Sequence, residues 1–457
     1  MQYRSSRGVA PVLGFADVLL AGLASDGGLY VPERWPELSI PASASTYAEV
    51  ATAVMYPFVE GSIPEDDFAA MVADAYSTFS HPEVVPLIEL EPGLYLLELF
   101  HGPTLAFKDV ALQLVGRLFD YELAKRGERV TIVGATSGDT GAAAIEALRE
   151  REAIDVVILH PKGKVSEVQR RFMTSVDAPN VRNVAIEGTF DDAQDMVKAM
   201  FADTEFRQAQ RLSAVNSINF ARVMAQTVYY VTAQRALAQP VSFAVPTGNF
   251  GNVYAGYGAM RMGVPIRQLV IGSNSNDILT RTLATGEMAM GEVAATLSPA
   301  MDIQVSSNFE RLIFDMLDHN GEAVQELMER FRLDRRVVLP PAMFGRFAET
   351  FSGSRLDDQE TLTTMREVYE STGKIIDPHT AVGVGAAKAH RGDATSPMVV
   401  LATAHPAKFP EAVNEAIGVK PELPEAVADL FDRPEHLDEL PNDLAAIKTY
   451  VANFTAR

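Results

Sequence analysis

The chain has 457 residues, 47% of them apolar, enough for two or three domains with sizeable cores. Its formal net charge of −21 argues against the broad basic surface that nucleic-acid binding needs. The lack of cysteine excludes disulfides, thiolate catalysis and cysteine-ligated zinc. No run of about 18 apolar residues is present, so no membrane span is expected. The first residues lack the continuous apolar core of a signal peptide, and a cytoplasmic protein is the expectation.

Apolar residues at helical spacing over 15–24 open the chain. A turn at Ser25-Asp26-Gly27-Gly28 and an extended piece at 29–32 follow. The runs 47–59 and 66–77 read as helices, and 1–93 as a mostly helical cap. From residue 94 the rhythm changes. Apolar runs at 94–98, 129–133, 155–159, 181–186, 242–245, 268–271 and 398–402 alternate with helical runs at 110–125, 141–151, 164–173, 190–201 and 252–262. Continuous apolar strands between helices predict an α/β protein with mainly parallel, twisted sheets flanked by helices. The expected lobes are 94–240 and 241–420, with a Met-rich helical insertion near 275–355. The tail, 421–457, is acidic and Pro-rich and reads as a surface segment with a late helix from Leu444.

Sheets of this kind bind ligands beyond the carboxyl ends of their strands, which singles out five loops. In Leu99-Phe100-His101-Gly102-Pro103-Thr104-Leu105-Ala106-Phe107-Lys108-Asp109, Lys108 sits at the start of a helix among apolar neighbours. Such surroundings favour the neutral amine, which can attack a carbonyl to form a Schiff base. The plain alternative is a lysine that lays its stem on apolar surface with its head in water. The loop Gly134-Ala135-Thr136-Ser137-Gly138-Asp139-Thr140-Gly141 converges small residues and hydroxyls on a helix N-terminus, which suits a carboxylate. The loop Pro246-Thr247-Gly248-Asn249-Phe250-Gly251-Asn252 suits a phosphate in the same way, and is neither a Walker loop nor a full G-x-G-x-x-G. Both are also compatible with ordinary capped turns. Thr403 follows a strand, where its hydroxyl could meet a ring nitrogen; His405 and Lys408 beside it read as a turn histidine and a solvated charge. In Asn216-Ser217-Ile218-Asn219-Phe220-Ala221-Arg222, amides, a hydroxyl and a guanidinium crowd a helix start, again suited to phosphate or carboxylate. No cluster of His and carboxylates has metal spacing. A lysine, two anion loops and a hydroxyl for a ring nitrogen match the needs of pyridoxal 5'-phosphate.

These motifs, HGPTLAFKD, ATSGDTG, NSINFAR, PTGNFGN and TAHPAKF, resemble the threonine synthase family in sequence and in order, as does the opening SDGGLYVPE. The resemblance covers roughly 1–420. It implies a fold-type-II, pyridoxal-phosphate-dependent lyase that converts O-phospho-L-homoserine and water to L-threonine and phosphate. Lys108 is then implied to bind the cofactor covalently, with Gly248, Asn249, Phe250, Gly251 and Asn252 around its phosphate and Thr403 at its ring nitrogen. Thr136, Ser137, Gly138, Asp139 and Thr140 are implied to receive the amino-acid carboxylate, and Ser217, Asn219 and Arg222 the substrate phosphate. Phe220 stands where the family often has Trp. No metal is implied, and a monomer or homodimer is expected. The rival enzymes are a threonine or serine dehydratase and a phosphohomoserine phospholyase. A cofactor-free α/β nucleotide-binding protein is the rival of another class, and a Schiff-base absorption band separates it.

Overall fold

The apolar runs become strands because each is bounded by glycine, proline or a helix cap and is covered by helices. The computed structural model describes residues 1–136, 138–214, 216–392 and 395–456. The chain divides into two units, Met1–Phe107 with Ser217–Pro421, and Lys108–Asn216 with Glu422–Arg457.

The first unit is built on a six-stranded sheet. Its order is Phe351–Arg355, Ile266–Ser273, Val241–Pro246, Met398–Ala402, Leu94–Glu98, Leu87–Glu91. The first five strands are parallel, and Leu87–Glu91 closes one edge antiparallel. Leu94, Leu96, Ala244, Val270, Met398 and Val400 form a core with the helices Asp358–Thr372 and Pro378–His390. Residues 1–93 belong to this unit rather than standing apart as a cap. They also hold more strand than the helical spacing implies, since Gln2–Ser5 pairs antiparallel with both Leu13–Gly14 and Tyr30–Pro32. An aromatic cluster ties this segment in. The Phe220 ring lies 5.2 Å from Tyr3, 6.2 Å from Trp35 and 5.8 Å from Phe58.

The second unit carries a parallel sheet in the order Asp438–Leu440, Val181–Ile186, Ile154–Pro161, Val130–Ala135, Leu212–Ser213. The expected boundary at 93/94 moves to 107/108. The run 94–98 pairs with 398–402, not with 130–135, so it belongs to the other sheet. The boundary at 240/241 moves to 216/217, because the helix Phe220–Leu237 sits with the Gly251–Arg261 helix of the first unit. The tail is not a surface segment either. Asp438–Leu440 extends the sheet, and Ile447, Val451 and Phe454, at i, i+4 and i+7, bury one helix face in its core. The segment expected as a helical insertion carries helices but also an antiparallel pair, Glu287–Ala289 with Arg336–Val338, and its end, Phe351–Arg355, supplies the edge strand of the first sheet.

Two helices of the second unit, Lys108–Arg126 and Asp139–Leu148, pack tightly at Gly116. A Cβ there would lie 2.4 Å from the Ala147 carbonyl oxygen, which is backbone and cannot swing aside. Gly116→Ala is therefore expected to destabilise the protein by about 1–3 kcal/mol, the usual cost of overpacking, as a lower midpoint in thermal or denaturant unfolding. An unchanged midpoint would mean that the helices do not approach this closely.

Candidate active site

Lys108 and Asp139 are each the first residue of one of these packed helices. Lys108 keeps 8% of its surface exposed, and its Nζ lies 3.2 Å from Asp139 Oδ2. Asp139 Oδ1 in turn accepts from Gln169 Nε2 at 3.1 Å. The purely apolar setting read from the sequence is thus corrected: the amine has a buried carboxylate beside it. A cation at a helix N-terminus opposes the macrodipole, and the carboxylate offsets that. Asp139 also changes role. Its own oxygens face an ammonium and an amide, so it can offer a substrate carboxylate only its backbone N–H. Thr136 Oγ1 accepts from the Gly138 and Gly141 N–H groups, each at 3.0 Å, and so folds the loop back on itself. Gly138 caps the helix at φ 144°, where a Cβ would meet Gln169 at 2.7 Å. Thr140 lies in the first helical turn, half-buried. Ser137 lies outside the described residues.

In the first unit, the strand Val241–Pro246 runs into the helix Gly251–Arg261 through residues 247–250. Gly248 is needed for room: a Cβ would sit 2.7 Å from the Ala300 carbonyl oxygen. Phe250 turns the chain at φ 62°, an uncommon conformation for a phenylalanine. Its buried ring, 5.1 Å from Phe309 and 5.7 Å from Phe351, holds that turn, so only its backbone is left to face a ligand. The loop is braced by the inserted segment. Ser306 Oγ donates to the Gly248 carbonyl at 2.7 Å, and the Asn308 backbone N–H and Nδ2 donate to the Asn249 carbonyl at 3.1 and 2.9 Å. The carbonyls are thereby tied up on one side. The first-turn N–H groups of the helix, which have no intrahelical partners, are left for a ligand. Asn252 is buried, its Oδ1 accepts from the Tyr229 and Tyr230 hydroxyls, and its Nδ2 has no partner among the described residues. A buried, unmatched amide donor in the first turn of a helix is what a phosphate monoester would satisfy, so these residues fit the cofactor phosphate.

Arg222 lies in the first turn of the helix Phe220–Leu237. It keeps 4% of its surface exposed, and its Nε and Nη1 have no hydrogen-bond partner among the described residues. Burial lowers its pKa to about 10, which leaves it charged at neutral pH. A buried, unpaired guanidinium is costly to the fold and calls for an anion. Asn219 is instead committed to structure. Its Oδ1 caps the helix at Ala221 N–H, and its Nδ2 donates to the Leu19 carbonyl at 2.8 Å. The Ser217 carbonyl accepts from Asn308 Nδ2 at 3.2 Å. Arg311, fully buried, donates to the Tyr30 and Ile218 carbonyls and to Asn308 Oδ1. One side chain thus joins the N-terminal opening, the Arg222 segment and the brace of the phosphate loop. Arg311→Leu deletes these buried, charge-assisted hydrogen bonds, at about 1–3 kcal/mol each. A loss of several degrees in melting temperature is expected, and an unchanged melt would contradict the bridging role.

The segment after strand Met398–Ala402 zips onto the motif that leads to Lys108. The Phe107 N–H donates to the Thr403 carbonyl at 2.9 Å and the His405 N–H to the Leu105 carbonyl at 3.0 Å. Thr403 directly follows the strand, as expected, and is buried. Lys408 is not a solvated charge: it is fully buried and donates to the Thr104 carbonyl at 2.7 Å. His405 caps a short 3₁₀ turn, and burial first, then nearby His101, lowers its pKa to about 4. The sequence reading missed the Asp139–Gln169 partners of Lys108, the Ser306–Asn308–Arg311 brace and the buried Lys408. The brace had no local signal, because its residues lie about as far along the chain as a separate subdomain. No group of three or more His, Asp or Glu able to hold a metal occurs among the described residues.

Two mainly parallel α/β sheets flanked by helices, with a lysine at one helix start and a braced glycine-bearing loop at another, are the features of the fold-type-II pyridoxal-phosphate-dependent enzymes. Residues 81–330 match the family model "Pyridoxal-phosphate dependent enzyme", while 2–76 and 380–451 match those for the threonine synthase N terminus and C-terminal region. The chain belongs to the threonine synthase family. Threonine synthase of Pseudomonas aeruginosa is 52% identical, over 99% of this chain and 98% of that one. The crystal structure of pyridoxal-phosphate-bound threonine synthase from Brucella melitensis is 51% identical and superposes with a TM-score of 0.97, covering 100% of both chains. The yeast threonine synthase structure is 38% identical, with a TM-score of 0.95, covering 100% of this chain and 99% of that one.

Proposed function

We propose that this chain converts O-phospho-L-homoserine and water to L-threonine and inorganic phosphate. The observation that carries the reading is Arg222, a buried guanidinium whose Nε and Nη1 lack hydrogen-bond partners among the described residues. A substrate that brings a phosphate dianion would satisfy it. The hydroxyl and unphosphorylated amino acids that a dehydratase handles would not.

The substrate loses phosphate from Cγ and gains a hydroxyl at Cβ, so protons must leave Cα and Cβ, Cγ must gain one, and Cα must regain its own after water has added at Cβ. The cofactor, when bound, supplies the electron sink for the carbanions. This chain supplies the rest. Lys108 Nζ holds the cofactor covalently and, once displaced by the substrate amine, carries protons between the substrate carbons. Asp139 and Gln169 fix the position of that nitrogen. The N–H groups of Gly138, Asp139 and Thr140 receive the substrate carboxylate, with Thr136 shaping the loop and Ser137 within it. Gly248, Asn249, Phe250, Gly251 and Asn252 take the cofactor phosphate, and Thr403 the ring nitrogen. Arg222 takes the substrate phosphate, with Ser217 beside it in sequence. Asn219 contributes by capping the Arg222 helix.

The reading places the enzyme in the cytoplasm as a monomer or homodimer acting on a small molecule and not on nucleic acid. No helix among the described residues is long and apolar enough to cross a membrane. The test compares kcat/KM for O-phospho-L-homoserine with that for L-threonine and L-serine. Preference for the phosphorylated substrate by about 10³-fold or more is expected if two charge-assisted bonds from Arg222 are used. Comparable turnover of the unphosphorylated amino acids would reject the reading.

A further inference from the structure

Tyr229 and Tyr230 are consecutive, fully buried residues of the Phe220–Leu237 helix, with ring centroids 5.1 Å apart. Neighbours on a helix ordinarily point in different directions. Here both hydroxyls reach one side chain. Tyr229 Oη donates to Asn252 Oδ1, and the Tyr230 hydroxyl proton is shared between Asn252 Oδ1 at 3.0 Å and the Asn252 carbonyl at 2.9 Å. Gly256, one turn beyond Asn252, makes this possible. A Cβ there would stand 2.7 Å from Tyr230 Cε1 and 2.8 Å from Cζ, so only glycine leaves the slot that the Tyr230 ring fills.

A carboxamide is almost symmetric in shape, and packing alone does not choose which end faces which way. Hydrogen bonding does, because its oxygen accepts and its NH₂ only donates. Burial raises both phenols well above 10, so both remain donors at any working pH. Two phenol donors on one side select the oxygen for that side. They leave Nδ2 turned away, buried and with no partner among the described residues. We propose that Tyr229 and Tyr230 are positioning residues that orient the Asn252 carboxamide so that both Nδ2 hydrogens face the cofactor phosphate. This rests on the assignment of Asn252 to that phosphate. Neither tyrosine touches the cofactor; each acts through Asn252.

The test is the affinity of the full chain for pyridoxal 5'-phosphate and for pyridoxal, which lacks the phosphate, read from the Schiff-base absorption band. Tyr229→Phe and Tyr230→Phe singly are expected to weaken pyridoxal-phosphate binding by no more than about threefold, since one phenol still selects the oxygen. The double variant is expected to weaken it by about 10- to 100-fold, the loss of a hydrogen bond to a charged group. Asn252→Ala is expected to match the double variant, and the three changes together to add nothing further. Pyridoxal binding is expected to stay near the wild-type value throughout. Asn252→Asp, which keeps both acceptors for the tyrosines but has no N–H, guards against a folding artefact and is expected to lose the phosphate-specific affinity. A double variant that binds pyridoxal phosphate like the wild type, or that loses both ligands equally, would overturn the proposal while Asn252→Ala still weakens binding. Unchanged binding by Asn252→Ala itself would overturn the phosphate assignment and the proposal with it.

Discussion

Lys108→Arg is expected to abolish turnover, lowering kcat by about 10⁴-fold or more, as loss of a covalent catalytic group does. Arginine is the informative replacement. Lys108 Nζ and Asp139 Oδ2 form a buried pair at 3.2 Å, and removing one partner of such a pair costs about 3–5 kcal/mol. Lys108→Ala therefore combines a chemical defect with a folding defect. A guanidinium keeps the charge beside Asp139 but remains protonated and forms no Schiff base. The variant should fold with a melting temperature close to the wild type and show no visible absorption band when supplied with cofactor. Appreciable activity, or a persisting band, would move the covalent attachment to another lysine. Lys408 is the weaker candidate, because its Nζ donates to the Thr104 carbonyl and is fully buried.

Arg222→Met is expected to act on function and stability with opposite signs. The guanidinium is buried, unmatched at Nε and Nη1, and its pKa is pulled down to about 10 by desolvation. Replacing it with an apolar side chain of similar reach removes a buried charge that the fold does not compensate. The sign follows from the pKa: a cation whose folded-state pKa lies below its unfolded value destabilises the fold at every pH where it is charged. The variant should thus melt higher, by about 1–1.5 °C for each kcal/mol regained in a chain of this size. Its kcat/KM for O-phospho-L-homoserine should fall by about 10²- to 10³-fold through loss of charge-assisted bonds to the phosphate. A stability–activity trade-off of this kind marks a group held for a ligand. A variant that melts lower and turns over normally would instead show Arg222 to be a structural residue.

What the sequence made legible and what it hid have physical reasons. The loops before Asp139, Gly251 and Arg222 were readable because close backbone approach and helix capping demand glycine, hydroxyls and amides at particular offsets from a strand. The position of Thr403 was readable for the same reason, being fixed by a strand end. The role of Asp139 was hidden because a carboxylate in an anion loop looks like part of the loop, until Gly116 brings its helix against that of Lys108. Arg311 and Asn308 were hidden because their partners, Tyr30, Ile218 and Asn249, lie far away in sequence, and nothing local distinguishes a bridging arginine from a surface one. The tail misled for a different reason. Its acidic, Pro-rich start dominated the composition, while Ile447, Val451 and Phe454 were enough to bury its helix. The lobe boundaries failed because a strand's sheet is decided by its partner. Nothing within 94–98 announces 398–402.

The most direct measurement incubates the cofactor-loaded protein with O-phospho-L-homoserine, quantifies released phosphate and identifies the organic product by mass spectrometry. L-Threonine and phosphate in equal amounts, with neither formed by Lys108→Arg, are the predicted result. Phosphate with 2-oxobutanoate would make the enzyme a phospholyase, and no phosphate from a loaded protein would remove the role given to Arg222; either contradicts the account.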